Sequence, residues 1–100
     1  MQFDVIFSDQ VEKDLIKIID YLVDNWGTNS AAKFEKRAKQ VFISISKMPC
    51  IGTKHINRKK VFRELPITKQ NTLIYTIEGE KVFLAKIFDN RQHPDKKYNF

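Results

Sequence analysis

Two runs of apolar residues at helical spacing, set almost end to end, constrain this chain more than any other feature. Val11, Leu15, Ile18, Ile19, Leu22, Val23 and Trp26 recur every three or four positions, and Phe34, Ala38, Val41, Ile45 and Met48 do so again. Only Gly27 and the Thr28-Asn29-Ser30 triplet stand clearly between the two runs. Gly27 is a natural helix stop, the triplet offers side chains that cap a new start, and Pro49 ends the second run. Helices joined by so short a link lie side by side and antiparallel, each burying its stripe on the other or on a sheet. Trp26, at the same spacing as Leu22, is expected to close the core at the end of the first helix.

The rest of the chain reads as strands. Gln2 to Phe7 alternates and is rich in Phe, Val and Ile, and Ser8 follows as a helix cap ahead of Asp9 and Glu12. Val61 to Ile67, Thr72 to Ile77 and Val82 to Phe88 are β-branched and aromatic, with a tight link at Glu78-Gly79-Glu80. Pro66 suggests an edge strand or one that ends early. Cys50 to Lys60 has no apolar period and reads as a basic loop, with Cys50 a small buried hydrophobe; the tail from Asn90 onward is polar and reads as partly mobile. The expected fold is α+β, in the order β-α-α-β-β-β, with the N-terminal strand and the helical hairpin packed on one mainly antiparallel sheet. One hundred residues, 42% of them hydrophobic, fill a single core, so residues 1–100 are one domain.

Charge is divided unevenly. The formal net charge is +6, but residues 1–30 carry −4 and residues 31–69 carry +9. A one-sided positive field draws polyanions or acidic peptides without telling them apart. One cysteine allows no internal disulfide, no Cys/His cluster has zinc spacing, and no glycine-rich phosphate loop is present, so neither a metal nor another cofactor is expected. The N-terminal residues have no basic start and no long apolar run, which fits a cytoplasmic protein with no membrane span.

The ordered set of motifs is more specific than any one of them. Ile6-Phe7-Ser8-Asp9-Gln10-Val11-Glu12-Lys13-Asp14-Leu15, a second helix closing on Pro49 with Gly52 after it, Leu73-Ile74-Tyr75, and Ile87-Phe88-Asp89-Asn90-Arg91-Gln92-His93-Pro94 together resemble the RelE/ParE toxins of bacterial type II toxin–antitoxin pairs. The resemblance runs over nearly the whole chain. It implies a growth-inhibiting toxin of the kind tied to plasmid stabilisation, held inactive by a co-encoded antitoxin whose acidic segment folds on binding, with operator DNA reached only through the antitoxin.

The resemblance leaves two targets. RelE-like members cut messenger RNA on the ribosome, and ParE-like members poison DNA gyrase. Cleavage by the RNA's own 2′-hydroxyl needs a base, a donor for the leaving oxygen and fixed cations. Arg63, Arg91, His93 and Tyr98, with Lys81, are the groups at hand. Cutting relatives carry an arginine at the head of the third strand, where this chain has Thr72, and lysines on the preceding strand, where it has Arg63, Glu64 and Leu65. Arg91 matches the arginine after the last strand, and Tyr98 lies near a C-terminal tyrosine of some cutters. Loss of one preorganised charge costs about a hundredfold or more in rate, so the incomplete set favours a ParE-like gyrase poison that is not an enzyme. A ribosome-dependent nuclease is the alternative, and a degenerate module that only binds antitoxin is a third. Arg63, Arg91, Lys36, Arg37, Lys59 and Lys60 are the residues expected to meet target or antitoxin, converging as one cationic trough. His55 reads as a solvated side chain, and Tyr75 as a ring packed under the helices.

Overall fold

The computed structural model describes residues 2–99. The chain runs β1 (Asp4–Phe7), α1 (Asp9–Trp26), α2 (Thr28–Lys47), a 3-10 turn (Pro49–Ile51), β2 (Thr53–Asn57), β3 (Lys60–Pro66), β4 (Asn71–Glu78), β5 (Lys81–Asp89) and a last 3-10 turn (Pro94–Lys96). The five strands form one mixed sheet in the order β1-β5-β4-β3-β2, with β1 parallel to β5 and every other pair antiparallel.

Helix α1 starts where the sequence places it. The Ser8 hydroxyl accepts from the Val11 N–H at 3.1 Å and donates to the Ala85 carbonyl at 3.1 Å, so one side chain caps the helix and ties it to β5. Gly27 separates the helices at φ 92°, in the left-handed region that glycine enters without strain. It is itself the N-cap of α2, and no side chain of the Thr28-Asn29-Ser30 triplet caps that helix.

Both helices lie on one face of the sheet. Val11, Phe34, Ala38 and Ile45 meet Leu73, Tyr75, Val82, Leu84 and Ile87 in the main core. Along β5 the period-two alternation breaks once: Ile74 faces Lys86 and Tyr75 faces Leu84, so Ala85 is an extra residue, a β-bulge. Helix α1 holds this bulge at two points, through Ser8 on the Ala85 carbonyl and through Asp14, whose carboxylate accepts the Ile87 N–H at 2.9 Å. The opposite face carries a smaller cluster of Phe62, Ile74 and Phe88, with Tyr98 packed against it.

Four sequence readings are corrected here. Cys50 to Lys60 is not a loop: it contains the turn at Pro49–Ile51 and the strand β2, joined to β3 by a two-residue turn. Its strand character is hidden because Arg58 (φ 51°) and Lys59 (φ 67°) fill turn positions usually held by Asn-Gly. β3 is consequently an interior strand and not an edge, and of the two readings of Pro66 the early end holds, since β3 stops at that residue. Trp26 is 69% exposed, because α1 ends beyond the edge of the core. Cys50 is exposed at the rim of the 3-10 turn, while Pro49 beside it is buried.

The tail is not loose over the described residues. Asn90 donates its N–H to the Gln70 carbonyl and its side-chain amide to the Lys69 carbonyl, and the last turn lays Lys97 and Tyr98 on the sheet. Among the described residues, no helix is long and apolar enough to cross a membrane.

Candidate functional site

The open sheet face gathers the densest chemistry. Glu64, on β3, lies beside Phe62 and receives two donors from the tail, the Lys97 ammonium at 3.1 Å and the Tyr98 hydroxyl in a short hydrogen bond. Alternation puts Phe62 and Glu64 on this face and Arg63 on the other. The Tyr98 ring stacks on His55 of β2, with centroids 4.9 Å apart and planes 5° apart, and leans on Phe62 at 5.0 Å. Lys60 sits over the Phe62 ring and Lys97 over that of Phe88. A groove of about 740 Å³ adjoins the group, lined in part by Arg58, Lys60, Phe62, Phe83, Glu78 and Tyr98. Burial, and then the bond to Glu64, push the Tyr98 phenol well above the ordinary tyrosine range, so it stays a neutral donor.

The expected arginines sit elsewhere. Arg63, on the helix side of β3, donates one guanidinium nitrogen to the Gly52 carbonyl at 2.8 Å and to the Cys50 carbonyl at 3.2 Å, which ties the 3-10 turn to the sheet. Arg91 forms a two-pronged pair with Asp89, with nitrogens 3.0 and 2.8 Å from the two carboxylate oxygens, and lies over the Tyr21 ring of α1. The pair holds the Asp89 carboxyl below its usual range and raises the Arg91 guanidinium further. Register sets Arg63 opposite Tyr75 and Asp89 opposite Asn71, so Arg63 and the Asp89 partner of Arg91 are four residues, about 13 Å, apart along the sheet and two strands across it. Arg91 lines a separate cleft of about 370 Å³ with Lys17, Tyr21, Gln70 and Gln92.

The remaining cations are dispersed as well. Arg37 donates to the Ile67 carbonyl at 2.8 Å and braces α2 on the loop after β3. Lys36 borders a shallow groove between the helices, with Ile19, Val23 and Ala32. Lys59 and Lys60 lie at the β2–β3 turn. His93 caps the last 3-10 turn, its Nδ1 accepting the Asp95 N–H, and points to solvent. Arg63, Arg91 and the lysine-rich middle therefore do not converge as a single trough, because alternation, register and the helix positions send these side chains to different places.

Three members of the observed cluster, Glu64, His55 and Lys97, escape sequence reading. Their spacing in the chain carries no motif. They meet only through the β2–β3 register and the fold-back of the tail. Among the described residues, no group of three or more His, Cys, Asp or Glu is placed to hold a metal ion.

A strand, a helical hairpin and a mixed sheet make up an architecture that solved structures share. The chain is similar to a chromosomal ParDE toxin–antitoxin system from P. aeruginosa, with TM-score 0.74, 15% identity, and coverage of 88% of this chain and 96% of that one. It is similar to a copper-bound mutant toxin from Helicobacter pylori (TM-score 0.63, 16% identity, 89% and 96% covered) and to YoeB from Staphylococcus aureus, solved as a dimer (0.52, 18%, 86% and 94%). No curated protein matches by sequence. Residues 5–94 match the family described as ParE toxin of type II toxin–antitoxin system, parDE, and the chain belongs to that family. Toxins of this family pair with a cognate antitoxin.

Proposed function

We propose that the chain arrests growth by poisoning DNA gyrase and is neutralised by an acidic antitoxin encoded beside it. One observation carries this choice of target. The two arginines that RNA cleavage would recruit are engaged within the chain, Arg63 by two backbone carbonyls and Arg91 by Asp89. Thr72, where cutting relatives carry an arginine, is 8% exposed and gives its hydroxyl to the Asn90 side chain at 2.9 Å. Without a cation at that position, a developing phosphorane charge loses about a hundredfold or more in stabilisation.

The second reading, a ribosome-dependent nuclease, draws on the Glu64–Tyr98–His55 group beside a groove edged with Arg58 and Lys60. Expression without antitoxin separates the two. The gyrase reading expects growth arrest with induction of the DNA-damage response while messages stay intact. Rapid loss of translated messages without DNA damage would favour the nuclease, and absence of any growth effect, with antitoxin still bound, would favour a degenerate binding module.

A further inference from the structure

Each helix carries a second row of residues, turned away from the sheet. On α1 it runs Asp9, Glu12, Ile16, Asp20 and Val23, and on α2 Ala32, Lys36, Lys39 and Ile43, at steps of three and four, and every member is exposed. Ile16 is 60% exposed, Ile43 54% and Val23 40%, so the rows place bare aliphatic surface on the outer face of the hairpin. Between them runs a groove lined by Ile19, Val23, Ala31, Ala32, Lys36 and Lys39, whose two alanines keep its floor low.

The rows differ in sign. Helix α1 holds five acids against two lysines, and α2 holds five bases against one acid, Glu35. The hairpin turns at Gly27, so residues equally far from Gly27 stand level: Val23, Ile16 and Asp20 lie within about 3 Å of the heights of Ala32, Lys39 and Lys36. Adjacent, level and opposite in sign, these charges still do not pair with each other. Among the described residues, neither Glu12, Asp20 and Asp24 nor Lys33, Lys36 and Lys39 has an ion pair. Both rows look outward, toward whatever covers this face.

We infer that a second copy of this chain docks here, as a two-fold dimer held by pairing of α1 with α2 across an aliphatic centre. A two-fold axis along the hairpin, in the plane of its outer face, lays α1 of each copy antiparallel over α2 of the other at unchanged height. Asp20 then meets Lys36 of the second copy and Glu12 reaches toward its Lys39, each contact made twice, while Ile16, Val23, Ala32 and Ile43 close the middle. An axis across the hairpin would stack acid on acid. A wholly acidic segment would suit α2 and be repelled by α1, whereas another copy offers both signs in the required order. Two helices about 27 Å long and about 10 Å wide cover roughly 500 Å² a side, about 1,100 Å² in all, at the lower end of what a specific interface needs. The dimer is therefore reversible and salt-sensitive. It does not depend on which target the toxin attacks.

Sedimentation of the free full-length chain over a range of concentrations tests this. Dimerisation in the micromolar range at low salt, weakened about tenfold or more at about 0.5 M salt, is expected. Asp20→Lys alone and Lys36→Glu alone set like charges face to face, and each should leave the chain monomeric. Mixing the two variants should restore a heterodimer, and the double variant a homodimer, because the pairs are then opposite again. Circular dichroism of each variant checks that the fold is kept. A wild-type chain monomeric at every concentration, a dimer that neither reversal weakens, or reversals that do not rescue one another overturn the proposal. Hydrogen exchange distinguishes the other occupant: protection at Ile16 and Ile43 that rises with chain concentration is expected, and protection that comes only with added antitoxin overturns the proposal.

Discussion

The Gly52 backbone N–H donates to the buried Tyr75 hydroxyl at 2.9 Å, and that hydroxyl donates in turn to the Pro49 carbonyl at 2.6 Å. One phenol thus pins both ends of the 3-10 turn that delivers the chain from α2 into β2. The approach is close enough to require glycine, since a Cβ at Gly52 would lie 2.6 Å from the Tyr75 Oη and 3.0 Å from the Glu64 carbonyl. Tyr75 is fully buried and cannot step aside.

Gly52→Ala is therefore expected to destabilise the fold by about 1–3 kcal/mol, the usual range for overpacking a tight core. Tyr75→Phe removes the nearest atom and one hydrogen bond. Denaturant unfolding of the two single variants and the double variant should show a combined loss smaller than the sum. Additive losses would contradict the contact.

Asp14 is the second such link. Its carboxylate accepts the Ile87 N–H just past the β5 bulge, at a residue 4% exposed. Asp14→Ala leaves that N–H without its partner, and about 1–3 kcal/mol should be lost. Hydrogen exchange at the Ile87 amide should quicken more than at other β5 amides. Unchanged protection there would count against the role given to Asp14.

Tyr98 and Tyr75 share a direction of titration. Burial raises both phenols, and for Tyr98 the bond to Glu64 adds to it. The folded chain holds both neutral, so their contribution is whole below the unfolded tyrosine pKa of about 10 and is lost as pH climbs toward the higher folded values. Stability should fall on the alkaline side, and Tyr98→Phe should flatten that fall. In an absorbance titration, Tyr98→Phe should remove a tyrosinate step that appears late. Loss of a step at the ordinary tyrosine position would contradict the Tyr98–Glu64 latch.

Much of the fold was legible because period and punctuation agree. The stripes from Val11 and Phe34, the stop at Gly27, the cap at Ser8 and the end at Pro49 fall where the helices start and stop, within a residue or two. β2 was not legible. Thr53–Asn57 has a single large apolar residue, Ile56, and takes its strand form from pairing with β3 across a turn whose Arg58 and Lys59 carry no turn signature. Missing β2 hid the His55–Tyr98 stack. Trp26 fits the helical stripe and still points to water, because periodicity fixes a face of the helix but not where the sheet beneath it ends.

The site was legible as a family and not as a place. Arg91 stood out through its motif, yet the structure gives it to Asp89 and Tyr21. Glu64 attracted no notice as an active group because its partners Lys97 and Tyr98 are over thirty positions away in the chain.

The central claim, a toxin aimed at gyrase, is tested most directly by adding the purified chain to DNA gyrase, relaxed plasmid and ATP. The account predicts loss of supercoiling and accumulation of cleaved plasmid held on the enzyme, both reversed when the acidic antitoxin is added. Normal supercoiling, together with cutting of messenger RNA when the same preparation is added to translating ribosomes, would contradict it.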